Sequence, residues 1–531
     1  MNTPVTMPPQ DAQQAEAAWQ RLHRSFALAM HQAGRVRDGG VETPCHARLD
    51  ERILQAVWCD QMLRPDALQT ASSKAVEVIE PGRWNTGPGP DFLDARIRIA
   101  GELREGDVEI HIQSGDWRRH GHHQDFEYNR VVLHVVLEPQ DDRPYEEKQN
   151  GERAERCVIA DALEPDLETI RQTVNLSEYP YGRPADLGLC HEQFIRLPEE
   201  QLSEFLLAAG RSRMEAKIAR FTAQRATESL LQVVYQALLT GQGYKSSKTL
   251  YFLLAKRAPL QALTDHAGDC AAGDRVDFFL SALLHVAQLA PSQLELPPTS
   301  DEETRSFVER LERLWLPLKP YFSDRLIAPT KRWYLGMRPA GFPTRRLAAV
   351  AELLARLTAP GGGLFAQIAR QLQDVGITTM NAKELRQFWK SLRELITVDG
   401  NGNYFSTRFT FGGKKQSPQA LLGEPAADSL LFNVFLPLII MQARETKNST
   451  LEAKAWIAIQ TFPALEKNSI IKFMERRLFG EGTPVAGLFK REIFQQSLFK
   501  VFSDCCAQNE RTCDDCTFLS LADRLAKGGT A

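Results

Sequence analysis

The chain has little net charge, few cysteines and no long apolar run, and each shortage excludes a class of protein. Over 531 residues, 64 Lys and Arg stand against 67 Asp and Glu, a net charge of −3. There is no global basic field, so any nucleic-acid binding has to come from local patches. The most apolar stretch, Leu430 to Met441, is too short to span a bilayer and contains Asn433 and Pro437. The first twenty residues, rich in Gln, Ala and Pro, lack the apolar core of a secretory signal. Nine cysteines without such a leader point to reduced thiols or metal ligands, not to a disulfide framework. These features together predict a cytoplasmic protein with no membrane association. No fixed-period repeat is present.

What is present is ordinary globular composition, 43% hydrophobic and 25% charged, with a clear change of character along the chain. Residues 1–40 read as a polar leader, partly disordered. From Ala47 to Leu63 the apolar positions follow helical spacing. A strand at Val76–Glu80 and the Pro/Gly-rich turn Pro81–Pro90 follow. Leu93 to Ala100 alternates apolar and polar residues, and so does the segment from Gly106 to Ile112. Trp117 to Asn129 reads as a loop with a short helix. Val131 to Leu137 is a continuous apolar run, the mark of a strand buried on both faces. Glu138 to Arg153 reads as an acidic, Pro-rich loop, and Tyr179 to Pro184 as a linker. Beyond Leu197 helical patterns dominate, including Glu199–Ala209, Arg213–Thr240, Arg305–Leu316 and Arg345–Leu357; Asn403 to Phe411 reads as a hairpin or loop. The predicted fold class is an α/β N-terminal domain (helix, three strands, helix, strand) over 41–190, then a large all-α region. That region divides into a helical domain over 191–425 and a C-terminal helical subdomain over 426–531.

The chemistry concentrates in the two alternating strands. Side chains alternate across a strand, so Glu109 and His111 point away from Val108, Ile110 and Ile112. Asp91 opens the preceding strand. An acid facing an acid plus a nitrogen base can hold Mg²⁺ or Mn²⁺ and activate a water. Five of the eleven histidines, His111, His120, His122, His123 and His134, lie within 24 residues. Catalytic roles are therefore expected for Asp91, Glu109, His111, His134 and His120, with Asp116 and Asp125 available to orient rings. Tyr128 and Asn129 could bind phosphate or brace the helix, and Glu51 is a further acid on the first helix.

Pro90-Asp91, followed after 17 positions by Glu109-Ile110-His111, resembles the PD-(D/E)XK nuclease motif with histidine in the lysine place. That resemblance implies the same order of helix and strands, metal-dependent cleavage of nucleic-acid phosphodiesters, and a cation on Asp91 and Glu109. Histidine supplies less fixed positive charge than lysine but could take a proton or bind the metal itself. More widely, Trp84-Asn85 through Phe92, Asp116-Trp117, Tyr128-Asn129, Leu133 to Val136, Arg338-Pro339 and Phe342-Pro343 resemble the bacterial family "domain of unknown function 2851", which implies no activity.

Two further signals lie in the second half. Cys506, Cys513 and Cys516, with Cys505 adjacent, have a spacing suited to Zn²⁺ or a [4Fe–4S] cluster. The spacing resembles the iron–sulfur loop of helix-hairpin-helix DNA glycosylases, without its last cysteine. An upstream cysteine, Cys190, would complete an arrangement resembling the iron–sulfur staple of some RecB-like nucleases; Cys505 is the competitor. Basic residues interleaved with aromatics, Lys331, Arg332, Arg338, Arg345 and Arg346 around Trp333, Tyr334 and Phe342, suit a single strand of DNA or RNA. A second acid-free stretch includes Lys245, and a third runs from Tyr404 to Lys415. The leading expectation is a metal-dependent nuclease. Its rivals are a nuclease fold that only binds or scaffolds nucleic acid, and a metal-dependent hydrolase of a small phosphoester.

Overall fold

The computed structural model describes residues 49–506 except 86–88, 175, 177–178, 180–186, 189, 244–246, 269–270, 335–336, 361–362 and 481–486. The leader expected over 1–40, Lys245, Cys513 and Cys516 lie outside the described residues. Two compact units meet in sequence between residues 184 and 185.

The first unit is built on one mixed sheet. Its elements are α1 (Glu51–Cys59), β1 (Val76–Glu80), β2 (Arg83–Trp84), β3 (Phe92–Ile99), β4 (Glu102–Gln113), α2 (Asp116–Arg119), β5 (Val131–Glu138), β6 (Tyr145–Glu147), β7 (Arg153–Val158) and α3 (Leu167–Thr173). The strand order is β1-β3-β4-β5-β7-β6, with β2 paired to β3. β1, β3 and β4 run antiparallel in succession, whereas β4–β5 and β5–β7 are parallel. The expected helix, three strands and later strand correspond to α1, β1, β3, β4 and β5, but the sheet of the described residues has seven strands. The segment expected as an acidic loop contributes β6 and the run-up to β7. The crossover from β4 to β5 carries only the one-turn α2 and two 3-10 turns, not a full helix.

The two faces of the sheet differ. On one, Leu54, Val57 and Trp58 of α1 join Ile97, Ile99, Val108, Ile110, Leu133, Val135 and Cys157 in the main core. Asp50 caps α1 by accepting from the Arg52 N–H, and the Trp58 indole donates to the Pro81 carbonyl at 2.9 Å. On the other face, Trp117, Tyr128, Val131 and Ala154 form a smaller cluster. The acids and histidines lie on that second face.

The second unit is helical throughout its described length. Glu199–Arg225 is one helix, longer than expected, and Ser229 caps a new one at Leu230–Gln242, so the pattern expected over Arg213–Thr240 is broken between them. Helices on both sides of residue 425 pack together, 436–445 against 199–225. Asn403–Phe411 contributes a single helical turn, Tyr404–Thr407, and no strand. The stretch Glu424–Glu445 is long and apolar enough to cross a membrane, but 72% of its apolar window is buried inside the unit. It packs as a core helix.

Gly106 sets how closely β4 and β5 approach. A Cβ there would meet the Arg130 carbonyl oxygen and Val132 Cγ1, each at 2.5 Å. Gly106→Ala should cost about 1–3 kcal/mol by forcing the strands apart, read as a lower urea midpoint. An unchanged midpoint would show that the strands part freely here.

Candidate metal centre

The junction between β3 and β4 is built by a bulge. Strand pairing shifts between Phe92 and Ala95, and Asp94 adopts φ 59°. The Asp94 N–H donates to Asp107 Oδ1 at 3.0 Å, and Arg130 donates to Asp94 Oδ1 at 2.8 Å. Bulges of this kind re-aim a strand end. Here the strand end is Asp91. Its main-chain N–H donates to Glu109 Oε2 at 3.0 Å, while its own carboxylate accepts from Gln55 Nε2 at 2.6 Å and from the Ile110 N–H at 3.0 Å. The two acids are thus locked side by side.

From Glu109 the polar line continues along the face. Glu109 Oε1 lies 3.4 Å from His111 Nε2 and 3.1 Å from His122 Nε2. His111 Nε2 is also 3.2 Å from His120 Nδ1, and His111 Nδ1 is 2.9 Å from His134 Nε2. One nitrogen from each of His111, His120 and His122 lies within 4.8 Å of the others, a spacing that fits one metal ion. Glu109 and His111 are buried, and His120 is exposed at the rim.

The segment between β4 and β5 brings His120 and His122 there. Gly121, at φ 81°, reverses the chain after α2, a conformation that costs glycine little. His122 then stacks on Tyr128, ring centroids 3.8 Å apart. The buried Trp117 contacts His122, Tyr128 and His134 edge-on or tilted, and its indole donates to the Glu147 carbonyl at 3.2 Å. Asp116 pairs with Arg119 at 2.6 Å, and Asp125 caps the turn Phe126–Arg130 through the Glu127 N–H, so neither acid bonds a ring. Asn129 braces the 149–150 turn, bonding Gln149 and the Asn150 N–H.

Burial sets the electrostatics. It raises the Glu109 carboxyl well above the usual range, with the Glu51 charge adding to the shift. Glu51 therefore acts on the site from α1. Burial pushes His111 and His134 down, and brings His122 down to about 4. Burial also raises the Tyr128 phenol, with Glu109 and Asp91 adding charge repulsion.

The structure thus brings Asp91, Glu109, His111, His120 and His134 together in one face of one unit. His122, Glu146 and Arg156 belong to the same network; the sequence reading counted His122 in the histidine cluster without a catalytic role and missed the other two. The remaining expected residues are placed elsewhere. Cys190 is buried just ahead of the helix His191–Arg196, and Cys506 is buried at the end of the turn Phe502–Cys506. Among the basic residues, Lys331 and Arg332 fall in the turn Lys331–Tyr334, Arg332 and Trp333 are buried, and Arg338 is exposed. Arg345 is buried and donates to the carbonyls of Ala340, Phe405 and Ala420; Arg346 donates to those of Gly341 and Gln242. Arg408 and Lys415 pair with Glu303 at 2.9 and 3.0 Å. Arg345, Arg346 and Arg408 are thus tied to the unit's own carbonyls and carboxylates, whereas Arg338 stands exposed.

The comparisons fit the spread of these features. The chain matches the model of the family described as "Protein of unknown function (DUF2851)" over residues 51–469. It belongs to that family. The match takes in the whole metal-centre region and stops short of Cys506, Cys513 and Cys516. No curated protein and no solved structure matches the chain.

The lowered histidines give a pH dependence. A group that binds fewer protons folded than unfolded makes stability rise with pH across the window between its two pKa values. For His122 that window runs from 6.5 down to about 4. Metal-free protein held in chelator should therefore lose about 2 kcal/mol from this group between pH 7 and pH 5, seen as a lower thermal midpoint. His122→Gln should flatten that dependence; an equally steep one would assign the effect to other groups.

Proposed function

We propose that this protein is a divalent-cation-dependent hydrolase of phosphodiester bonds, with nucleic acid as the substrate class. The observation that carries this reading is the Asp91 N–H on the Glu109 carboxylate, with His111 Nε2 3.4 Å from the same carboxylate. It puts two acids and a nitrogen base at one strand junction. The antiparallel β1-β3-β4 set followed by parallel β5 supports a nuclease-like core, as does the resemblance of Pro90-Asp91 and Glu109-Ile110-His111 to the nuclease motif.

In this reading Glu109 and His111 hold the cation, and Asp91 fixes Glu109 while keeping a second negative charge beside it. A bound cation supplies a Lewis acid for the phosphate and lowers the pKa of its water. A negative charge on Asp91 beside Glu109 favours the state in which a cation sits on Glu109. The Trp117–Tyr128 wall limits water on the inner side, and His120 marks the open side from which a phosphate arrives. Histidine in place of lysine removes a fixed ammonium from the site, so charge neutralisation falls more heavily on the cation.

A second reading, hydrolysis of a small phosphoester, is favoured by one observation. Arg332 and Arg345 are buried, and Arg345 and Arg346 are engaged with main-chain carbonyls, which leaves fewer cations for a long strand.

Both readings meet in one experiment. Single- and double-stranded DNA and RNA, and a small phosphodiester, are incubated with the protein plus Mg²⁺, Mn²⁺ or Zn²⁺, or a chelator. Cleavage of a polynucleotide that stops in chelator is expected, with Asp91→Asn slower by about 10- to 100-fold. Turnover of the small ester alone would select the second reading. Salt-dependent binding of strands that are never cut would overturn both and leave a binding scaffold.

A further inference from the structure

The buried side of the metal centre carries a wiring that determines which atom of His111 faces the cavity. Arg156 donates from Nε to Glu146 Oε1 at 2.9 Å and from Nη1 to Asp141 Oδ1 at 2.6 Å. Burial would raise the Glu146 carboxyl, but the hydrogen bonds from His134 and Arg156 hold it below its usual range, and the guanidinium on Oε1 leaves that oxygen an acceptor. Glu146 Oε1 can then only accept, so the contact from His134 Nδ1 at 3.2 Å is a donated N–H. His134 is fully buried, and with Nδ1 donating to Glu146 its Nε2 is the ring's acceptor nitrogen. The 2.9 Å contact from His111 Nδ1 must therefore be a second donated N–H. His111 is left with the Nε2 lone pair directed at Glu109, His120 and His122.

That direction has a consequence. The His111 Nε2 lone pair lies 3.4 Å from Glu109 Oε1, and His122 Nε2 is buried 3.1 Å from the same oxygen without a hydrogen bond. Two ligand atoms on a shared tetrahedral ion with bonds near 2.1 Å are separated by about 3.4 Å. The observed separations of 3.1, 3.2 and 3.4 Å match that edge. Three imidazoles and one carboxylate are the donors of a zinc-type ion, whereas Mg²⁺ prefers oxygen ligands and retained waters.

We infer that Glu109, His111, His120 and His122 form a site selective for a zinc-type transition ion over Mg²⁺, with His134, Glu146 and Arg156 as positioning residues that present the His111 Nε2 lone pair. The inference deepens the proposed hydrolase reading by naming its cation class, and in doing so sets aside the Mg²⁺ expected from the two acids alone. Three nitrogens and one oxygen fill a tetrahedral shell, and His120 is its exposed member, the side from which water or substrate would approach as a fifth ligand.

The test is metal binding by the intact protein, read without any substrate. Calorimetric titration with Zn²⁺ should give one site that a roughly hundredfold excess of Mg²⁺ does not displace. Co²⁺ in the same site should show visible absorption from a low-coordinate, nitrogen-rich environment. His120→Ala, at an exposed position, keeps the fold and should weaken Zn²⁺ by about 10- to 100-fold. Glu146→Gln should weaken it by a similar factor and alter the Co²⁺ spectrum, which a loss of packing alone would not do while circular dichroism stays native. Equal competition by Mg²⁺, or Zn²⁺ affinity indifferent to His120→Ala, would overturn the site. Zinc bound as described with no phosphodiester cut would defeat the hydrolase reading and leave the site standing. Mg²⁺-dependent cleavage without zinc binding would do the reverse.

Discussion

The buried ion pair between Arg156 and Glu146 is the constraint on which the rest of the α/β unit depends. Both side chains are almost fully excluded from water, and neither charge is tolerable there alone. Asp141 takes part of the guanidinium, His134 takes the Glu146 oxygen, and His111 continues the line into the metal centre. The line crosses β6, β7, β5 and β4 on one face of the sheet. Removing either partner of the ion pair would leave the other uncompensated at the base of the site.

This constraint explains what the sequence made legible and what it concealed. β1 was readable to the residue, and β5 stood out as a continuous apolar run, because both follow simple burial patterns. Asp91, Glu109 and His111 were readable because strand alternation alone separates them from Val108 and Ile110. β7 was not, since Arg153, Glu155 and Arg156 make it look like a solvated loop. Arg156 is buried only because Glu146 and Asp141 are brought to it by tertiary pairing, which no local pattern reports. His122 received no role in the sequence for a similar reason: its burial comes from stacking on Tyr128 and the edge-on contact with Trp117.

The basic segments hold structural contacts that composition does not report. An acid-free run with aromatics reads as a phosphate-binding surface when only composition is visible. In the fold, Trp333 packs against Tyr251, and Arg345 gathers carbonyls from three separate segments. A guanidinium has five donors in a planar fork, so it can tie together chain ends that lack hydrogen-bond partners. Composition cannot distinguish an arginine that faces water from one that replaces secondary structure.

The two faces of the sheet divide the physical tasks between them. α1 seals one face with apolar side chains, and that burial provides the driving force for holding the strands in register. The other face can then afford histidines and acids, on condition that each polar atom finds a partner. Trp117 and Tyr128 close that face with rings that add apolar area, and the Trp117 indole still donates to the Glu147 carbonyl. The low dielectric they create is what raises Glu109 and lowers His111, His122 and His134. Neutral imidazoles around a reluctant carboxylate are a poor home for protons and a good one for a metal ion, whose charge satisfies all of them at once.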